Sequence, residues 1–348
     1  MMQKKVWVPA AILVVAVAGY FGLSAYSSKQ AQKRLEDWVY DHGLDESLTW
    51  ESVSASPLGG TVTLKGVEFS TAKGLDLSVH AERMQLSELI DEDSHTRVRM
   101  KVQGVTASPQ LLRLFQNYGS MTGIGRQASG YGPLLSSGRN ELKPFDIALY
   151  FDADDSEGTA ETELSLDLPE LFSVETRYGV ANLKDFNRSM RRLQKSLDNL
   201  RKNPGWPAAA FADSDADFEH ILGRAELTEV SLSLKDNGLV KRSVALQKRY
   251  GATLDPTAGA ADKQRDEYFE RTLRNFSKNC ESGIRDAAPK LIELCEIAVD
   301  VANGKRKGVA FSIKPEERVR LADLDKISSG GAASKRLVER LNPEVSAL

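Results

Sequence analysis

Alternation of apolar and polar residues runs through the middle of the chain and predicts a mostly antiparallel β-sheet. The stretches that alternate most clearly are residues 61–69, 75–79, 97–102, 145–151, 160–168, 225–235 and 309–313. A period of two places successive side chains on opposite faces of a sheet, so each of these strands has one apolar face. Turns rich in Asp, Asn and Gly separate several of the stretches, which favours antiparallel hairpins.

A glycine interrupts the alternation at two places that share a sequence pattern. Residues 62–67 read Val-Thr-Leu-Lys-Gly-Val, and residues 100–105 read Met-Lys-Val-Gln-Gly-Val. At Gly66 the apolar series changes phase, so that Val67 continues it. A glycine at such a change indicates a β-bulge or a bend. The two copies suggest similar hairpin units that lie side by side.

Helical periodicity of 3.6 residues replaces the alternation in one central segment and over most of the C-terminal third. Residues 185–203 predict an amphipathic helix, and residues 262–282 and 289–303 predict two helices that form a hairpin. A short terminal helix is predicted over residues 335–342. Together with the alternating stretches, these segments predict an α+β fold with a helical C-terminal third.

The first apolar run, residues 6–26, contains no charged residue and follows Lys4 and Lys5. About 20 residues of helix span a bilayer core, so this run is long enough for a membrane anchor. A signal peptide that is cleaved after export is the alternative, and its apolar region is usually shorter than this run. We therefore expect a retained transmembrane helix in the bacterial inner membrane, with the bulk of the chain in the periplasm.

The change from one pattern to the next divides the chain into five predicted regions. They are a membrane anchor (1–28), a linker helix (29–43), a mainly antiparallel β domain with a helix at 185–203 (44–235), a helical hairpin region with a closing strand (236–327) and a C-terminal tail helix (328–348).

Charge and cysteine content narrow the class of protein. Lys and Arg total 46, Asp and Glu total 49, and the formal net charge is -3, which does not favour a nucleic-acid surface. The short basic run 305–307 could touch anionic lipid or form an exposed turn. The two cysteines, Cys280 and Cys295, could form a disulfide in an exported protein or stay reduced and buried.

Motifs for catalysis, cofactor binding or metal binding do not stand out in the sequence. The chain has no Gly-x-Ser-x-Gly elbow and no P-loop, and its four histidines lack metal-ligand spacing. We therefore predict no catalytic residues, no cofactor, no metal ion and no enzymatic activity.

Residues 48–69 end in the motif Val-x-Leu-x-Gly-Val-x-Phe. In this stretch the chain resembles the AsmA-like proteins of the Gram-negative envelope. Residues 98–105 carry the same resemblance more weakly. The resemblance implies a curved sheet with an apolar groove and, in larger members, a role in moving or organising lipid between membranes. The predicted fold class is thus α+β, with an N-terminal transmembrane helix followed by a curved, mostly antiparallel sheet.

A groove on such a sheet would be lined by the inward side chains of its first long strands. The candidate lining residues are Val62, Leu64, Val98, Met100 and Val102. In the alternative interpretation, the predicted helices cover this face and complete an ordinary core.

The first functional hypothesis is a non-enzymatic periplasmic protein that binds phospholipid or another envelope lipid, or supports lipid and outer-membrane homeostasis. The alternative is a periplasmic scaffold that binds envelope proteins. An apolar groove favours the first hypothesis, whereas a covered core with an exposed apolar helix patch favours the second.

Overall fold

The computed structural model describes residues 28–41, 47–56, 60–70, 78–108, 137–192, 220–285, 288–327 and 331–348. The strands are β1 (Leu48–Thr49), β2 (Ser52–Ala55), β3 (Thr61–Ser70), β4 (Ser78–Asp91), β5 (His95–Ala107), β6 (Phe145–Asp154), β7 (Thr159–Leu168), β8 (Phe172–Ala181), β9 (Glu226–Asp236), β10 (Gly308–Ile313), β11 (Val319–Arg320) and β12 (Pro343–Ala347). The α-helices are α1 (Ser28–Asp41), α2 (described over 186–192), α3 (described over 220–224), α4 (Leu239–Gly251), α5 (Ala261–Arg285), α6 (Glu293–Ala302) and α7 (Gly331–Leu341). Within the described ranges, short 3-10 helices cover Pro289–Leu291 and Leu321–Ile327.

The twelve strands of the described residues form a mostly antiparallel sheet. Their order is β1-β3-β4-β5-β6-β7-β8-β9-β10-β12, with β2 paired to β3 and β11 paired to β9. Most neighbours in the sheet are also neighbours in the chain, which is the topology that short turns between alternating stretches produce.

The described part of the chain does not support the transmembrane helix of the predicted fold class. No helix in the described part of the chain is long and apolar enough to cross a membrane. The longest of them, α5, has 25 residues but is charged along most of its length, beginning with Asp262, Lys263 and Arg265. The predicted anchor lies outside the described residues except for Ser28, where α1 begins.

The C-terminal third also needs correction, because it contributes strands as well as helices to the fold. The predicted closing strand is β10, and β12 pairs with it antiparallel, with Phe311 opposite Val345. The sequence interpretation ended the chain with a helix and missed β12. Its five residues alternate between apolar and polar, but the stretch is short and starts with a proline, so pairing with β10 decides its conformation.

The chain divides into two compact units. The first contains the described residues of 1–108, 146–164 and 179–226. Its core lies on one face of β3, β4 and β5, and Leu35 and Val39 of α1 are buried as well. The two glycine-containing repeats lie in this core: Gly66 and Gly104 both have positive φ, and Val67 and Val105 after them are buried. The predicted change of phase at Gly66 is therefore confirmed.

The second unit contains the described residues of 109–145, 165–178 and 227–348. Here β9, β10 and β12 pair antiparallel, and α6 packs against β10 and β12. The predicted hairpin of helices is formed by α5 and α6, which contact each other. Of the predicted helix 185–203, the structure describes helical residues 186–192 in the first unit, and residues 193–203 lie outside the described part.

Candidate functional site

The five residues predicted to line a lipid groove lie together on one face of β3 and β5, with β4 between them. Two rows cross the three strands, and they are Val62–Leu86–Met100 and Leu64–Met84–Val102. The five predicted side chains are at most 6% exposed. Their contact with lipid stays a prediction, and a ligand would reach these atoms only if the packing opened.

The opposite face of the first unit carries a network of charged and polar side chains centred on Asp152. The Arg97 Nε–H donates to Asp152 Oδ2 at 2.9 Å, and the Tyr150 hydroxyl donates to the same oxygen at 3.0 Å. His95 Nε2 lies 2.8 Å from Asp152 Oδ1. The Arg99 guanidinium lies 4.3 Å from the centre of the Tyr150 ring. These residues alternate along β5 and β6, so the network is a ladder across two strands.

The hydrogen bonds of this ladder change the acidity of its members. Burial alone would raise the pKa of Asp152, but the bonds from Arg97, His95 and Tyr150 outweigh it and hold the pKa below its usual value. The pKa of Tyr150 is raised by burial and by its bond to Asp152. A carboxylate with three such bonds stays charged at neutral pH and cross-links the strands, which is a structural role.

A cleft of about 580 Å³ opens in the first unit next to α2. Its lining consists of acidic, basic and serine residues, which are Asp93, Ser94, Asp155, Ser156, Lys184, Asp185, Arg188, Arg191 and Arg192. Most of these charges already have partners. The Arg191 guanidinium donates to Asp91 at 2.6 Å, and Arg188 pairs with Asp185 at 2.8 Å.

Asp155 fixes the start of α2 from inside this cleft. Its carboxylate accepts the backbone N–H of Asn187 at 3.0 Å and the side-chain amide of the same residue at 3.2 Å. Burial raises the pKa of Asp155, and the backbone bonds offset part of that increase. The cleft is therefore held together by its own ion pairs and hydrogen bonds.

The second unit exposes an apolar surface on β9 and β10. On β9, Leu232 is 38% exposed and Leu234 is 40% exposed. Across the strand pair, Leu232 lies opposite Phe311 and Leu234 lies opposite Val309. Directly opposite residues of an antiparallel pair point to the same side of a sheet. These four side chains form one continuous apolar surface, called the β9–β10 face below.

Helix α6 covers the continuation of this surface on β12. It packs against β10 and β12. On β12, Pro343 is buried and Val345 is half-buried, whereas Glu344 and Ser346 on the other side are exposed. The helix therefore lies on the apolar side, next to two leucines that stay about two-fifths exposed. This arrangement places two partly exposed leucines beside a helix.

The two cysteines form a disulfide between α5 and α6. Cys280 and Cys295 are bonded, with their Cα atoms 5.9 Å apart, and the described part of the chain contains no free cysteine. Cys295 is fully buried. The bond fixes the helical hairpin that stands next to the β9–β10 face.

Sequence reasoning recognised β9 but did not single out its leucines as surface residues. The signal was present, because Val230, Leu232 and Leu234 alternate with Ser231 and Ser233. Alternation shows that one face is apolar, but it does not show whether another element covers that face.

No protein-family model matches this chain, and no curated protein matches it significantly. The resemblance to AsmA-like proteins stays a prediction that rests on the residues quoted for it.

Proposed function

We propose that this chain is a non-enzymatic protein that binds the acyl chains of envelope lipid on the β9–β10 face and thereby supports lipid or outer-membrane homeostasis. The observation that supports the proposal is the exposure of Leu232 and Leu234 beside half-buried Val309 and Phe311. Each methylene that moves from water into such a groove contributes about 0.8 kcal/mol, so a few contacts suffice for binding.

The disulfide supports an oxidising compartment such as the bacterial periplasm for this activity. Disulfides persist in exported proteins and are rare in the cytosol of mesophiles. The bond between Cys280 and Cys295 closes a helical hairpin in the unit that carries the β9–β10 face. A rigid helix beside the groove would reduce the entropy that is lost when a lipid binds.

Native mass spectrometry of the full chain, purified in mild detergent, tests the proposal together with lipid extraction. We expect near-stoichiometric phospholipid on the natural chain and at least a tenfold loss of bound lipid in Leu234→Asp, because a carboxylate in the groove must be desolvated. Ser346→Asp on the exposed side of β12 is the matched control and should keep its lipid. A natural chain without lipid, or equal loss in both variants, would overturn the proposal.

A second candidate function is a scaffold for envelope proteins, and one residue of α5 favours it. Phe276 is 45% exposed, which is unusual for an aromatic side chain on the apolar stripe of an amphipathic helix. A photo-crosslinker at position 276 would form a specific protein adduct in cells if this surface binds a partner. The same crosslinker at exposed Asn279 on the same helix is the control, and equal adducts from both positions would exclude a specific site.

A further inference from the structure

A turn of three basic residues stands at one end of the β9–β10 face. Lys305, Arg306 and Lys307 follow α6 and lead directly into β10, and all three are exposed. The backbone N–H of Asp236 donates to the carbonyl of Lys307 at 2.6 Å, so the pairing of β9 with β10 extends to this turn. Lys307 immediately precedes Gly308, the first residue of β10, so the basic turn adjoins the end of the face that carries Val309.

Two side-chain carboxylates near this turn, those of Asp300 and Asp236, have other partners. Asp300 pairs with Lys305 at 3.4 Å. Asp236 accepts the backbone N–H of Val240 at 2.9 Å and thereby caps the start of α4. Among the residues that the structure describes, Arg306 and Lys307 have no ion-pair partner. The carbonyl of Leu348 accepts the backbone N–H of Lys307 and leaves its ammonium group available.

An anionic amphiphile has an apolar tail and a negatively charged headgroup. The β9–β10 face, with the cations of Arg306 and Lys307 at its end, is complementary to both parts. The hydrocarbon part of such a ligand would lie along Leu232 and Leu234, and its headgroup would meet Arg306 and Lys307. A guanidinium group binds a phosphate through two parallel hydrogen bonds, and an ammonium group adds a point charge. A headgroup with a net negative charge is bound better by these two side chains than a zwitterionic one, because they repel the cation of the zwitterion.

We propose that the β9–β10 face selects an acidic phospholipid, with Arg306 and Lys307 binding the headgroup phosphate. This inference rests on the proposed function, because it names the class of lipid that the same face binds. It adds a headgroup site that is separate from the acyl contacts, so the two can be tested separately.

Competition between two lipids with identical chains tests the headgroup site. The full chain in neutral detergent is given equal amounts of dioleoyl phosphatidylglycerol and dioleoyl phosphatidylcholine, and native mass spectrometry measures the bound ratio. We expect about tenfold preference for phosphatidylglycerol, since each basic side chain contributes a several-fold attraction to an anionic headgroup. The double variant R306Q/K307Q should lower the preference below about threefold, because it weakens the binding of phosphatidylglycerol more than that of phosphatidylcholine, whose phosphate is already paired with its own trimethylammonium group.

The matched control is R271Q/K278Q, which removes the same charge from the exposed side of α5. Neither of these two side chains has an ion-pair partner among the described residues. The control should keep the preference, and 0.5 M salt should weaken the preference of the natural chain. Oleate and inorganic phosphate, given separately, identify a carboxylate or free phosphate as the better ligand if either displaces the phospholipid.

The outcomes separate the two proposals. Equal binding of both lipids by the natural chain, or a preference that survives in R306Q/K307Q, overturns the headgroup site and leaves the acyl site standing. Displacement by oleate or inorganic phosphate at lower concentration than phosphatidylglycerol also overturns it. If neither lipid binds, the proposed function and the headgroup site both fail.

Discussion

At the scale of single residues, Gly66 and Gly104 show why the same short pattern occurs twice. Both have positive φ values, 57° and 64°, that residues with a side chain rarely adopt. A Cβ atom at Gly66 would lie 2.4 Å from the Glu51 side chain, and one at Gly104 would lie 2.6 Å from the Glu82 side chain. Each glycine thus combines a positive φ with the close approach of a glutamate.

Gly66→Ala and Gly104→Ala should each lower the free energy of unfolding by about 1 kcal/mol or more. Alanine is strained at a positive φ, and its Cβ atom would clash with the glutamate side chain. Urea unfolding measures this change. Gly283→Ala in α5 is the control, since nothing lies within 4 Å of its Cβ position. That substitution should instead stabilise the chain by about 0.5–1 kcal/mol, because alanine favours a helix. Destabilisation of similar size at all three positions would contradict the explanation.

The network around Asp152 predicts a pH dependence. The pKa of Asp152 in the folded chain is lower than the ordinary value of 3.8. The ionised carboxylate therefore contributes to the stability of the fold at pH values above 3.8. The contribution is lost as the pH falls from about 3.8 through the lower folded pKa. Asp152→Asn should therefore lower the free energy of unfolding by about 1 kcal/mol at pH 7, and the difference should shrink in acid.

Unfolding of the natural chain and of Asp152→Asn between pH 2 and pH 7 checks this prediction. A difference that stays constant over that range would show that the carboxylate charge does not matter. Asp155→Asn gives a contrast of opposite sign, because burial raises the pKa of Asp155. The stability that this group contributes is present at low pH and is lost as the pH rises through its folded pKa.

At the scale of elements, the disulfide determines how firmly α5 and α6 are held beside the sheet. The bond closes a loop of 15 residues. Closing such a loop reduces the entropy of the unfolded chain and stabilises the fold by about 3 kcal/mol. The paired substitution Cys280→Ser with Cys295→Ser should lower the free energy of unfolding by about that amount.

Denaturant unfolding of the oxidised chain, the reduced chain and the paired serine variant measures the contribution. The reduced chain and the variant should agree with each other within error, because both lack only the cross-link. Equal stability of all three would mean that helix packing alone holds the hairpin.

The sequence also predicts the bounds of some elements better than those of others. Helix α5 was expected over 262–282 and is observed over Ala261–Arg285, because its apolar stripe repeats over many turns. Strand β4 extends over 14 residues, whereas the alternation of residues 75–79 predicts only a short strand that ends at Val79. Within β4 the pairing with β5 shifts register between Ser87 and Ile90, where Glu88 has a positive φ. A register shift hides a long strand from any strict period of two.

At the scale of the whole molecule, similar apolar side chains are buried in a core in one place and exposed on a surface in another. Met100 in the first unit is 1% exposed, whereas Leu232 in the second is 38% exposed. Met100→Ala should lower the free energy of unfolding by about 2–5 kcal/mol, because it leaves a cavity. Leu232→Ala should lower it by about 1 kcal/mol or less, because the side chain is only partly removed from water.

Thermal or denaturant unfolding compares the two variants. Similar costs would mean that Leu232 is covered in solution, which would remove the surface on which the proposed lipid site depends. A large cost at Met100 and a small one at Leu232 would support an apolar surface kept for a ligand.

The sequence by itself determined the strand-rich middle, the apolar face of each strand, the helical hairpin and the change of phase at Gly66. These features follow from local periodicity and from the backbone freedom of glycine, which neighbouring residues in the chain encode. The closeness of Asp152 to His95 depends on strand register, and so does the pairing of β12 with β10.

Only the tertiary structure decided which apolar face is covered. Val62 and Met100 are buried, and Leu232 and Leu234 are not, although all four alternate with polar neighbours in the same way. Burial depends on which elements pack over a strand, and those elements are distant in sequence. The structure therefore moved the candidate lipid surface from β3 and β5 to β9 and β10.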